Sequence, residues 1–163
     1  IGVAPFAKHR GKIYPLPLME QVIDYFSKKN GTKVFLFGGG LHEAEVFDAW
    51  VKKYPNVLSL AGKINLSDEL VLINQMDIML SMDSANMHLA SLVNTSVVSI
   101  WGATHPYAGF MGWKQSLNNS LQVDLACRPC SVFGQKPCFR RDYACLNGIS
   151  PKEVIDKVES LLR

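Results

Sequence analysis

Short, nearly uninterrupted apolar runs alternate with helix-periodic segments along most of the chain. Ile1-Gly2-Val3-Ala4-Pro5, Val34-Phe35-Leu36-Phe37, Val57-Leu58-Ser59-Leu60, Ile78-Met79-Leu80-Ser81-Met82 and Val97-Val98-Ser99-Ile100-Trp101 predict five strands. Their continuous apolar character is that of parallel strands buried on both faces. Between them, Met19, Val22, Ile23 and Phe26 recur at i, i+3, i+4 and i+7, as do Phe47, Trp50, Val51 and Tyr54, and each set predicts an amphipathic helix. Ser67, followed by Asp68 and Glu69, reads as the N-cap of a third helix running to about Met76. A fourth helix follows Asp83-Ser84 and runs to about Val93. The period is lost between Gly102 and Gly148. It resumes at Ser150-Pro151-Lys152-Glu153, a capping-box start for a closing helix over about 151–162.

Strand–helix alternation of this kind predicts an α/β fold: a Rossmann-like, doubly wound parallel sheet with helices on both faces. Residues 1–163 are read as a single domain, with a cysteine-containing loop over 127–145. A composition of 48% apolar and 19% charged residues excludes disorder, and the formal charge of +3 does not indicate a nucleic-acid partner. No stretch approaches the ~20 consecutive apolar residues of a membrane span, and no basic-then-apolar leader opens the chain. A core strand at residue 1 leads us to expect a piece of a longer chain, the alternative being a processed or tag-trimmed terminus.

In such sheets ligands bind beyond the carboxyl ends of the strands where strand order reverses. With a strand order 3-2-1-4-5, the loops after the first and fourth strands face that crevice. The first loop, 6–12, carries Lys8, His9, Arg10 and Lys12. The second, Asp83-Ser84-Ala85-Asn86, leads into a helix start, whose free N–H groups and partial positive charge suit a phosphate. Lys12 or Arg10 would add full charge, although a basic loop is more often plain solvated surface. His88 lies one turn after Ser84 and so shares its side of the helix; a packed core histidine is the competing reading. Asp83 is explained most simply as a helix cap, and it can meet a ligand as well. Gly38-Gly39-Gly40 follows the second strand and lacks the dinucleotide GxGxxG spacing, which argues against a NAD-dependent dehydrogenase. Glu43, just beyond it, is placed either for ribose hydroxyls or as helix N-terminal charge. Gly102-Ala103-Thr104-His105-Pro106 forms a third small-residue loop on the same rim.

Cys127, Cys130, Cys138 and Cys145 follow C-x2-C-x7-C-x6-C. The first pair has the knuckle spacing of a tetrahedral zinc site and the second does not, so structural zinc, reduced thiols and disulfides all stay open.

Several of these segments together resemble the C-terminal half of glycosyltransferase family 9, the ADP-heptose:lipopolysaccharide heptosyltransferases. They are Gly11-Lys12-Ile13-Tyr14-Pro15, Gly39-Gly40-Leu41-His42-Glu43, Met82-Asp83-Ser84-Ala85-Asn86-Met87-His88-Leu89-Ala90 and Trp101-Gly102-Ala103-Thr104-His105-Pro106. The cysteine tail is similar to a variant found in that family. The resemblance implies the C-terminal half of a GT-B fold that binds a nucleotide-sugar donor, ADP-heptose, with no cofactor required for transfer. It implies that Lys12 contacts the donor phosphates, Glu43 the ribose and Asp83 the sugar. Ser84 and the helix start at Ala85 then hold the pyrophosphate, with His88 and Thr104 beside them. Tyr14 departs from a usual Trp, and Ala85 from a common Gly. The base and the lipopolysaccharide-core acceptor belong to an N-terminal domain, which is expected to be absent from this chain. Inverting transfer at the cytoplasmic face of the bacterial inner membrane is the implied activity, and this fragment alone is expected to be inactive. The competing readings are a GT-B transferase using a UDP-sugar and a non-catalytic nucleotide- or zinc-binding module.

Overall fold

The computed structural model describes residues 1–162. Six parallel strands, β1 (Gly2–Ala4), β2 (Val34–Leu36), β3 (Val57–Ser59), β4 (Met79–Met82), β5 (Val97–Trp101) and β6 (Ser120–Gln122), pair in the order β3-β2-β1-β4-β5-β6. The five predicted strands are all present in the predicted order. The sixth, β6, adds to the far edge with Ser99 opposite Ser120 and Ile100 opposite Leu121. It escapes the apolar-run criterion because it is three residues long, half-polar and covered on only one side, as edge strands commonly are. The central strands β1, β4 and β5 are buried at every position, whereas β3 at the opposite edge exposes Leu58.

Helices α1 (Leu16–Ser27), α2 (Leu41–Lys53), α3 (Leu66–Asn74), α4 (Ala85–Leu92), α5 (Ala144–Asn147) and α6 (Pro151–Glu159) cover the two faces. Side chains alternate across each strand, so every strand feeds both layers. Val3, Leu36, Leu80 and Ile100 pack with Met19, Phe26, Phe47, Trp50 and Val154 of α1, α2 and α6. Ala4, Phe37, Met79 and Trp101 pack with Ile73, Met87 and Ala90 of α3 and α4. The doubly wound sheet therefore separates α1, α2 and α6 from α3 and α4.

Local signals are mostly as read, with two corrections. Helix α6 ends at Glu159 rather than at about 162, its last residues turning out of the helix after Ser160, and the start of α3 differs. The α3 cap is Asn65, not Ser67: the Asn65 side chain accepts the Asp68 N–H at 3.0 Å, and the helix ends at Asn74. Ser67 sits inside the first turn. The capping box at Ser150 and Glu153 is fully formed. Tyr14 is completely buried and donates its hydroxyl to the Ile149 carbonyl at 2.7 Å, tying the start of α1 to the segment before α6.

Candidate functional site

Strand order reverses at β1, between β2 and β4, with Ala4 directly opposite Ser81. Beyond these strand ends lies a cleft of about 570 Å³. Its walls are the loop after β1 (Phe6, Ala7, Lys8 and Lys12), the turn after β2 (Gly38, Gly39) with Glu43, Glu69 of α3, and 83–86 with His88 of α4. The two loops expected to share a crevice do share it.

At its floor Asp83, only 4% exposed, ends β4. One carboxylate oxygen receives Lys12 Nζ at 2.9 Å and Thr104 Oγ1 at 2.7 Å. A charge taken this far from water needs such partners. Asp83 therefore does not cap α4. Thr104 is itself buried and stands behind Asp83, away from the cleft lining. Lys12 has two further N–H donors beyond the one given to Asp83.

The N-cap of α4 is Ser84, and its side chain makes no capping bond to the helix; its hydroxyl instead lies 3.2 Å from Ser81 Oγ. Among the described residues the first-turn N–H groups of α4, beginning at the exposed Ala85, thus have no side-chain cap where they border the cleft. Unpartnered helix-start donors beside an ammonium group suit an anion with several oxygens. His88 is exposed on the same helix and lines the cleft, so it is not a core histidine. Glu43 folds back to accept the Gly39 N–H at 2.8 Å, leaving lone pairs on the carboxylate at the cleft wall. A side chain at Gly38 would collide with that carboxylate.

Arg10 is the basic residue that the structure takes away from the site. It donates to the Ile13 carbonyl at 2.9 Å and stacks over the Tyr143 ring at 4.6 Å. Lys8 takes a place in the lining instead. Sequence reasoning also missed Glu69, which accepts from Asn86 Nδ2 at 3.1 Å across the α3–α4 seam. Burial pushes the Glu69 carboxyl above the usual carboxylate range, the Asn86 hydrogen bond opposing the shift. Its only sequence signal was acidic character in the first turn of a helix, which is commonplace.

The cysteine loop packs onto this site from behind. Cys130 N–H donates to the Ala103 carbonyl at 2.8 Å, and Arg128 donates to the Gly102 and Thr104 carbonyls. Gly134, with φ +74°, lies against the Lys12 alkyl chain, where an added Cβ would sit 2.8 Å from Lys12 Cγ. All four cysteines are free, and Cys145 is buried. Burial, and then its neighbours Cys127 and Cys138, push the Cys130 thiol up. Among the described residues no three His, Cys, Asp or Glu side chains converge as metal ligands, so the all-cysteine set read from the spacing is not assembled here.

A larger groove of about 1330 Å³ runs between α1, the end of α2 and α6. Its charges are already paired, Lys29 with Glu159 and Lys53 with Glu20, so it offers no unopposed charge. It also lies away from the strand ends, and the smaller cleft is the candidate site. Among the described residues no helix is long and apolar enough to cross a membrane.

Residues 1–137 match the sequence model of glycosyltransferase family 9 (heptosyltransferase). Lipooligosaccharide heptosyltransferase 2 of Campylobacter jejuni subsp. jejuni serotype O:6 (strain 81116 / NCTC 11828) is 25% identical over 146 residues, 84% of this chain and 45% of that relative. Among solved structures, E. coli ADP-heptose LPS heptosyltransferase II matches with a TM-score of 0.76 at 20% identity, over 99% of this chain and 45% of that one. The iron-containing dodecameric heptosyltransferase TibC of enterotoxigenic E. coli H10407, in complex with ADP-D-β-D-heptose, matches with a TM-score of 0.71 at 17% identity, over 98% of this chain and 44% of that one. The chain thus spans a little under half the length of these relatives, and its fold corresponds to the C-terminal half of the GT-B heptosyltransferases.

Proposed function

The chain belongs to glycosyltransferase family 9, the heptosyltransferases, and on that premise we propose that it is the donor-binding domain of an inverting transferase that moves heptose from ADP-heptose to the lipopolysaccharide inner core. The Lys12–Asp83 pair beside the uncapped start of α4, at the switch point of the sheet, is the observation that carries this reading. Two solved relatives, one an ADP-heptose transferase and one holding an ADP-linked heptose, support this choice of sugar nucleotide.

In the proposed reaction an acceptor hydroxyl oxygen attacks the anomeric carbon of the donor and the bond from that carbon to the β-phosphate oxygen breaks. The hydroxyl proton passes to a base on an N-terminal acceptor domain, and the nucleoside diphosphate leaves. Negative charge grows on the departing oxygen. Lys12, the Ser84 hydroxyl and the first N–H groups of α4 are aimed where that charge develops, which is where electrostatic help lowers the barrier. Asp83, fixed by Lys12 and Thr104, faces the sugar, Glu43 accepts from the ribose hydroxyls, and His88 flanks the diphosphate. Thr104 acts through Asp83. The enzyme would work at the cytoplasmic face of the inner membrane, where its acceptor lies. No metal is assigned to Cys127, Cys130, Cys138 and Cys145, whose side chains do not converge as a ligand set among the described residues, and no step of the transfer is routed through one.

Calorimetry with ADP on the full-length protein tests the donor site. The wild type binds ADP, and Lys12→Ala lowers affinity and turnover while the circular dichroism spectrum is kept. Unchanged ADP binding in that variant would refute the assignment.

A further inference from the structure

Glu69 is a cleft residue for which the donor reading above has no task. Its place in the first turn of α3 would make it a routine helix-start acid, but that work is done elsewhere. Asn65 caps the helix, and Asp68 both gives its N–H to Asn65 and accepts from the Asn65 amide at 2.8 Å. Glu69 is instead half-buried at the cleft wall with one carboxylate oxygen bound to Asn86 Nδ2. Burial raises its carboxyl pKa, the Asn86 hydrogen bond opposing, so the fold favours the protonated group: that stability is present at low pH and is lost as the carboxyl ionises with rising pH. The fold carries a charge there at a cost, with a neutral amide as its partner.

The direction of the donor decides what meets it. Helices α3 and α4 lie on one face of the sheet, and α2, carrying Glu43, lies on the other. With the diphosphate at Lys12 and Ser84 and the ribose at Glu43, as proposed, the nucleobase would extend along the part of the cleft lined by Gly38, Gly39 and Glu69. A carboxylate only accepts, so its ligand there must donate. Adenine presents an exocyclic amine at that edge, whereas an oxo-substituted base such as uracil presents a carbonyl oxygen in its place, with a ring N–H one position away. We infer that the Glu69 carboxylate, oriented by Asn86, accepts a hydrogen bond from the exocyclic amine of the donor's nucleobase and so selects an amino-substituted base over an oxo-substituted one. The inference rests on the donor-site reading, with Glu69 a specificity residue and Asn86 a positioning residue.

Adenosine and inosine 5′-diphosphates make a close pair of probes, because they share ribose and phosphates and differ at position six, amine or carbonyl, and at the adjoining N1, an acceptor in adenine and an N–H in hypoxanthine. Calorimetry on the full-length wild type should show ADP bound on the order of tenfold more tightly than inosine diphosphate. Glu69→Gln, which brings a donor of its own, flattens or inverts that ratio. Glu69→Leu flattens it too, and serves if the first variant folds poorly. Lys12→Ala weakens both nucleotides in parallel and leaves the ratio intact, so it reports on the donor site alone. Wild-type binding without preference, or a ratio unmoved in both Glu69 variants, overturns the inference and leaves the donor site standing. Failure of the wild type to bind either nucleotide overturns both.

Discussion

Two clusters of Lys and carboxylate side chains face two cavities of this molecule, and they differ in how far water reaches them. In the α1–α6 groove Lys53 and Glu20 have side chains 61% and 31% exposed, and Lys152 and Asp156 are 80% and 57% exposed. At the switch point Lys12 and Asp83 are 16% and 5% exposed, at a comparable separation. Water screens the first kind of pair, whose contribution to stability is small. It scarcely reaches the second, which carries a desolvation cost that an apolar pair would avoid. A buried pair at the carboxyl ends of β1 and β4, with donors left over on the ammonium, makes sense as a site held ready for an anion. Size favours the groove; burial and unspent donors favour the cleft proposed as the donor site.

The largest effect should come from breaking the buried pair. Lys12→Ala removes the cation nearest the proposed diphosphate and leaves Asp83 to Thr104 and entering water. Turnover of the full-length enzyme should fall at least on the order of 100-fold, the scale seen when a group that stabilises developing charge is deleted. A steady-state assay at saturating acceptor checks this, and activity within a few-fold of wild type would mean that the pair is structural.

A second effect, smaller, comes from the backing of Lys12. Gly134 and Gly31 share nearly the same positive φ, +74° and +75°, but a Cβ at Gly31 meets nothing within 4 Å while one at Gly134 meets the Lys12 alkyl chain. Gly134→Ala should therefore shift Lys12 and weaken ADP binding by about tenfold, at the 1–3 kcal/mol scale of overpacking. Gly31→Ala carries backbone strain alone and leaves ADP affinity unchanged. Equal affinities in the two variants would show that the cysteine loop does not brace the site.

Next in size is a change far from the cleft. Ser150→Ala removes one half of the capping box of α6 and should cost about 1 kcal/mol, or a Tm drop of about 2–4 °C. The hydroxyl and N–H of Ser150 hold the Glu153 carboxyl below its usual range. Its contribution is thus complete above the unfolded carboxylate pKa and is lost as pH falls through the lower folded value. Thermal melts of the wild type and the variant should accordingly converge in acid. A difference that widened there would contradict the cap.

These contrasts also explain which parts could be read from the chain. The sheet order from β3 to β5, and the meeting of Lys12 with 83–86, follow from apolar runs and topology, because parallel strands leave a strong continuous signal. The partners inside the site do not. That Asp83 binds Lys12 and Thr104 rather than capping α4 depends on where three loops settle, which no local pattern records. Arg10 and Lys12 are equivalent on paper, but a stacked Tyr143 from the irregular segment 102–148 draws Arg10 away. Glu69 and Asn86 are separated by 17 positions and met only because α3 and α4 pack together. Likewise, Cys-x-x-Cys spacing constrains two thiols, whereas the placement of Cys138 and Cys145 belongs to the loop as a whole.

The smallest effect is the control that gives the comparison its edge. Lys29→Met in the groove removes a contact of 2.6 Å to Glu159, shorter than the 2.9 Å of Lys12 to Asp83. If separation set importance, this substitution would matter more. Lys29 is 40% exposed, so solvent replaces most of what Glu159 gave it, and the methylene stem of Met keeps the packing. The Tm should move by no more than about 2 °C, and ADP affinity should not move at all. A loss of ADP binding in Lys29→Met would show that the groove communicates with the cleft through α1 and β1, and burial would no longer separate the working pair from the others.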